Sequence, residues 1–294
     1  MDTISIQGIL LCRGAAKNDR KRDSQIPYPA GIKQSCNISY GPYGKENLLD
    51  IYRPETEGLY PIIVNVHGGG YVYGSKEVYK RYCMDLARRG FVVVNINYRL
   101  APKWKFPAPL EDIHNVMLWI NQNDRLLHAD FSRIYMVGDS AGAQLVSQYA
   151  AMLTNPEYMA LFGFPRLDPH IKLQAVGLNC GMYDAKQQAS EPRKGISRDY
   201  LGRKLSADDP RLDVLSAITA NFPPAHITTA CHDFLRGAAQ PMYDLLQARG
   251  VPCQINCYGT EADRSVGHVF HINIITKEAI CCNDDQCAFF QQHR

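Results

Sequence analysis

No stretch of this 294-residue chain is apolar for long enough to cross a bilayer; the longest runs are pieces such as Phe91-Val92-Val93-Val94. A large excess of one charge is missing too. The formal net charge is +3, and 46% hydrophobic against 21% charged residues describes an ordinary globular chain. These absences argue against a membrane-spanning protein and leave nothing for nucleic acid to grip. The one basic cluster, Lys17 to Arg22, reads as a solvated surface. Internal repeats and low-complexity tracts are also lacking. A secretory signal is not evident, since Asp2 stands where a positive segment belongs and no small-residue cleavage site follows; a cytoplasmic protein is expected.

Cysteine, by contrast, is plentiful, with ten scattered residues. Cys83, Cys180, Cys231, Cys253 and Cys257 fall in predicted strands or helices and are expected as buried free thiols. Without a secretory signal, a disulfide framework is the weaker reading. The tail Cys281 to Cys287 has no second Cys/His pair at zinc spacing, so neither a metal nor another cofactor is expected.

Residues 1–34 are polar and predict an N-terminal extension or small lid with little apolar surface. Residues 35–294 read as one catalytic domain. Strands are predicted at Cys36–Tyr40, Leu48–Tyr52, Ile62–Val66, Phe91–Ile96, Ile134–Val137, Ala175–Leu178, Ala225–Thr229 and Gln254–Tyr258. Helices are predicted at Glu77–Arg89, Leu110–Asn121, Ala143–Met152 and Ala238–Arg249. Such alternation implies an α/β fold, a mainly parallel central sheet with helices on both faces. Residues 183–210 interrupt it and are expected as an insertion that shapes the substrate mouth.

Two glycine-rich segments carry the chemistry. Gly138-Asp139-Ser140-Ala141-Gly142 lies between a predicted strand and a predicted helix. That context suits a nucleophile elbow, a strained turn that lifts the Ser140 hydroxyl clear of the sheet. His67-Gly68-Gly69-Gly70 follows the buried strand ending at Val66. Its glycines leave backbone N–H groups unobstructed, so Gly69 and Gly70, with the N–H of Ala141, are the expected oxyanion donors.

With Tyr98-Arg99-Leu100-Ala101-Pro102 between them, these segments resemble the hormone-sensitive-lipase family of α/β-hydrolases, serine carboxylesterases with HGGG, YRLAP and GDSAG motifs. The resemblance runs from about Tyr40 to Tyr258 and includes the His268 region. Cys231-His232-Asp233-Phe234-Leu235 is similar to the family's acid motif and implies Asp233, with Asp184 and Asp263 as rivals; Gly237 replaces the motif's second acid. Gly267-His268-Val269-Phe270 resembles the family's Gly-His-x-Phe and implies His268 as base, with His271 as rival.

The expectation is a carboxylesterase with a Ser140–His268–Asp233 triad, acting on a small-molecule ester with no nucleic-acid or membrane partner. A homodimer is left open. Short acyl esters, acetylated sugars among them, are the expected substrates. Tyr71 and Tyr73 are placed to narrow the acyl pocket, with Trp104 close to it. The alternatives are a lipase or amidase on the same site and a ligand-binding homologue without turnover.

Overall fold

The β-branched runs pair into one eight-stranded sheet. The computed structural model describes residues 3–190 and 195–293, so positions 191–194 of the expected insertion lie outside the described residues. Strands β1 (Ile32–Ser39), β2 (Leu48–Pro54), β3 (Tyr60–Val66), β4 (Val92–Ile96), β5 (Ala129–Asp139), β6 (Leu173–Asn179), β7 (Ala225–Ala230) and β8 (Cys253–Tyr258) stand in the order β1-β2-β4-β3-β5-β6-β7-β8. The β1–β2 and β2–β4 pairings are antiparallel, and the rest are parallel.

Helix α1 (Ile6–Asp23) precedes the sheet, and between the strands run α2 (Lys80–Arg88), α3 (Ala108–Gln122), α4 (Asp124–Leu127), α5 (Ala141–Thr154) and α6 (Pro156–Ala160). After them come α7 (Ala185–Ser190), α8 (Gly195–Leu201), α9 (Val214–Ala217), α10 (Ala239–Ala248) and α11 (Lys277–Gln292). The two-residue period of a strand sends its side chains to both faces, and both are covered. Ile62, Val64 and Val66 of β3 join a core with Leu110 of α3, Leu145 of α5 and Leu246 of α10. Ile63 points the other way, into a core with Leu86 of α2 and Phe290 of α11. No helix among the described residues is long and apolar enough to cross a membrane.

Every predicted strand and helix has its counterpart, with ends moved by a few residues. The thiols differ more. All ten cysteines are free, but Cys253 is only half-buried and Cys257 exposed, because the edge strand β8 is largely open to solvent, and Cys231, in the turn after β7, is half-buried too. The polar N-terminus also holds an element that no apolar periodicity announced, the 18-residue helix α1. Its caps account for it. Ser5 Oγ accepts the Gly8 N–H at 3.0 Å, and Arg20, Lys21 and Arg22 complement the dipole in the last turn. The Ser5 hydroxyl and N–H in turn donate to the Asp199 carboxylate of α8 at 2.5 and 3.0 Å, which ties the two helices together.

Asp199→Ala should therefore loosen α1 without touching the sheet. Losing a buried cap partner costs about 1–2 kcal/mol, so amide exchange over residues 6–23 should speed up about five- to thirtyfold. Exchange that accelerates equally in β3 and β5, or nowhere, would show that this contact does not anchor the helix.

Candidate active site

The parallel pairing of β3 and β5 sets Val66 opposite Gly138, so the chain leaves both strands at the same level. Ser140 therefore emerges beside the His67–Gly70 loop. Its backbone has φ 53° and ψ −118°, a region that costs on the order of 1–3 kcal/mol for a non-glycine residue. The turn is held by the Ser140 N–H, which donates to Asn179 O at 2.9 Å. The flanking glycines are demanded by space. A Cβ on Gly142 would lie 2.2 Å from Val66 O, and one on Gly138 would lie 2.5 Å from the Gly142 carbonyl carbon. Only bare backbone lets α5 start so close to β3.

In the glycine loop, Gly69 (φ 110°) and Gly70 (φ 59°) take conformations that side chains resist, and both line the same cavity as Ser140 and Ala141. The Gly68 N–H is already engaged, donating to Tyr79 Oη at 3.2 Å. No acceptor among the described residues meets the N–H of Gly69 or Gly70, and Ala141 opens α5, where N–H groups lack intrahelical partners. Tyr79 passes the connection on, its hydroxyl donating to Asp139 Oδ2 at 2.8 Å. Burial pushes the Asp139 carboxyl up to about 7, against the opposing pull of that hydrogen bond and of His268. Tyr79 thus links the glycine loop to the elbow.

Asp233 follows β7 and His268 follows β8, and a bridge between His232 and Gly267 brings the two loops together. His268 Nδ1 lies 2.7 Å from Asp233 Oδ1, and its Nε2 lies 3.0 Å from Ser140 Oγ. Asp233 also accepts the Leu235 N–H at 2.9 Å and the Thr229 hydroxyl at 3.2 Å. Burial opposes its charge, but the hydrogen bond and charge of His268, with the Leu235 N–H, outweigh that and hold the carboxyl below its usual range. A carboxylate fixing one imidazole nitrogen, with a hydroxyl on the other, can take a proton from that hydroxyl and return it to a leaving group.

The rivals lie elsewhere. Asp184 accepts the Gln187 N–H and Asp263 accepts the Ser265 N–H, each a local turn contact. His271 is buried edge-on to Tyr82, where burial lowers its imidazole to about 3. His114 sits buried between Tyr149 Oη and Pro165 O, a structural position.

Tyr71 and Tyr73 do line the cavity, which measures about 700 Å³. Tyr71 is fixed from behind, stacked on Tyr200 at 3.8 Å and donating to Gln144 Oε1 at 3.2 Å. Tyr73 donates to Asp19 of α1 at 2.7 Å. Trp104 does not reach the cavity; it packs edge-on to Tyr43 at 4.9 Å, near the Arg99 guanidinium. Two expectations about the N-terminus also need correcting. Leu10, Leu11, Gly14 and Ala15 of α1 face the cavity, so the segment does offer apolar surface. Asn18, Asp19 and Arg22 follow on the same helical face, so part of the basic cluster is not simply solvated.

Other residues work from behind the cavity. Arg99 is buried against Asp112, donating from Nε at 2.9 Å and from its backbone N–H at 2.7 Å. Next to it Tyr98 stacks on His67 at 4.2 Å and donates to His67 O. The Tyr98–Pro102 segment is thereby a brace for the glycine loop, and Ala101 N–H donates to Tyr71 O at 2.9 Å. Cys180 brings its sulfur within 4.8 Å of an Asp233 oxygen and a His268 nitrogen, a neighbour no spacing could announce.

Comparison with known proteins agrees with this geometry. A family model described as the alpha/beta hydrolase fold matches residues 63–272. The chain is 30% identical to Esterase LipI of Mycobacterium tuberculosis over 78% of its own length and 72% of the relative's. It is 30% identical to versiconal hemiacetal acetate esterase of Dothistroma septosporum, over 71% and 67% of the two chains. The fold matches esterase B from Lactobacillus rhamnosis, inhibited by a tributyrin phosphonate, with a TM-score of 0.85, 23% identity, and 95% and 92% of the two chains covered. The chain thus belongs to the α/β-hydrolase family, in its hormone-sensitive-lipase and carboxylesterase branch, and is a hydrolase with esterase function.

Proposed function

We propose that this enzyme cleaves short-chain acyl esters through a covalent acyl-enzyme on Ser140. The observation that carries the reading is the line of contacts from Ser140 Oγ through His268 to Asp233, at 3.0 and 2.7 Å. Ser140 Oγ attacks the ester carbonyl as His268 Nε2 takes its proton. The N–H groups of Gly69, Gly70 and Ala141 receive the oxyanion, and His268 returns the proton to the leaving alkoxide. Water then repeats the sequence to free the acid. Asp233 stays ionised and holds the imidazole in the tautomer that accepts at Nε2.

The preference for short acyl groups rests on α1, which acts in this reading as a small fixed lid. Its apolar cavity-facing stretch from Leu10 to Ala15 spans on the order of 8 Å before Asn18, Asp19 and Arg22 begin. Methylenes carried past that point would meet charge. Acetyl esters fit the smallest case, in keeping with a relative named as an acetate esterase. On the alcohol side, α7 and α8 contribute Gln188 and Ser197 to the lining, polar groups suited to the hydroxyls of an acetylated sugar.

Ser140→Ala should lower ester turnover by on the order of 10⁴-fold or more while leaving the thermal transition nearly unchanged. Substantial activity in the purified variant would remove Ser140 from the mechanism. His268→Ala should be equally inactive, whereas folded His271→Ala should keep its turnover despite a lower melting temperature. The opposite pattern would reassign the base. Across a nitrophenyl ester series, kcat/KM should peak at acetyl to butyryl and fall steeply beyond about eight carbons. Tyr71→Ala should shift the optimum to longer chains, at a stability cost of about 3–5 kcal/mol. A maximum at twelve or more carbons would mark the enzyme as a lipase.

A further inference from the structure

A second cavity of about 630 Å³ adjoins the first and shares Met182, Gln188, Ser197, Phe234 and Leu235 with it. Phe234 stands at the junction. The residue is 75% exposed, and its ring lies 4.2 Å, centroid to centroid, from the His268 imidazole, tilted by 45°. Beyond it the second cavity is walled by Leu215, Met242 and Leu245. Gly237 sits on its rim with open space where a Cβ would project.

We propose that this second cavity takes the alcohol half of the ester, and that Phe234 selects alcohols carrying an aromatic ring. The inference rests on the esterase reading of Ser140 and His268, and it follows from the stereochemistry of the tetrahedral intermediate. When the Ser140 Oγ–carbonyl carbon bond has formed, the oxyanion faces the Gly69–Gly70 side. The ester oxygen that leaves must face His268 Nε2, because that nitrogen supplies its proton as the carbon–oxygen bond breaks. The group carried on that oxygen therefore passes the imidazole and meets the ring that covers it. The acyl group is left with the α1 side. A flat apolar group lying on Phe234 covers exposed ring surface and gains the offset or edge geometry that aromatic pairs favour. The open flank at Gly237 gives it depth to enter.

The test uses three esters with a common acetyl group and alcohols of similar leaving ability: ethyl, benzyl and 2-naphthylmethyl acetate. Each is measured as kcat and KM on wild type, Phe234→Ala, Phe234→Tyr and Gly237→Trp, alongside fluorophosphonate labelling of Ser140. Wild type should favour the two aromatic esters over ethyl acetate by about tenfold in kcat/KM. Phe234→Ala should erase most of that ratio through KM, and Phe234→Tyr should restore it. Gly237→Trp should cut the naphthylmethyl ester most, since the new ring fills the cavity from its rim. Ratios unchanged in Phe234→Ala and Gly237→Trp would overturn the proposal. So would a Phe234→Ala enzyme that loses all three esters equally, since the ring would then be serving His268. A wild-type enzyme that neither labels nor cleaves any of the three would instead bring down the esterase reading, and this inference with it.

Discussion

The close approach of α5 to the end of β3 is the constraint on which the site depends. Both chains turn at the level where Val66 pairs with Gly138, and the start of α5 sits against the Val66 carbonyl with no room for a methyl group at Gly142. Were that contact looser, Ser140 and the glycine loop would no longer line the same cavity side by side. The cost is paid in backbone strain at Ser140, and the surrounding sheet over-determines the turn enough to hold it. Strands β6, β7 and β8 then step outward from β5, so residues far apart in the chain reach the same rim of the sheet. Parallel sheets place ligands at that rim for the same reason, since all the parallel strands end there.

Polar groups behind the site are bound into chains. Gly68 N–H, Tyr79 and Asp139 form one, and Arg99 with Asp112 and Glu111 forms another. Each anchors a loop by side chains that are themselves mostly buried. Buried charge of this kind adds little net stability, but removing one partner strands the other, so such groups hold loop geometry firmly. His67 shows the same economy. It is buried, stacked on Tyr98, and burial lowers its imidazole to about 4, so it serves as a neutral spacer at the root of the loop.

Helix α1 gives the cavity its wall on one side, and its two halves differ in character. The first half offers leucines and small residues, and the second offers an acid–base pair, with Asp19 holding Tyr73 and Arg22 donating to Val78 O. Leu11 and Cys12 pack against the main core, and the polar contacts of Ser5 with Asp199 and of Asp19 with Tyr73 fix the helix at its two ends. It is the part of the site most open to change without disturbing the sheet.

The sequence alone determined the central architecture and the candidate nucleophile, base and acid. Buried parallel strands must be short β-branched runs, and a nucleophile elbow must be written with glycines around a serine, so local chemistry shows in Ile62–Val66 and Gly138–Gly142. The Asp233 and His268 assignments came from resemblance in short motifs, because the distance between two loops is not encoded in either one. Tertiary structure decided what depended on neighbours distant in sequence. Helix α1 shows only a weak apolar pattern because much of its anchoring is polar, to an aspartate on α8 and a tyrosine after the glycine loop. Trp104 follows the end of β4, yet its ring turns to Tyr43 and Arg99 and stays out of the cavity, since an edge-on ring and a guanidinium lie within reach there. Phe234 looked like one more residue beside the acid. Only the fold set its ring on the imidazole, because two strands that meet at the sheet's edge bring their loops into contact there.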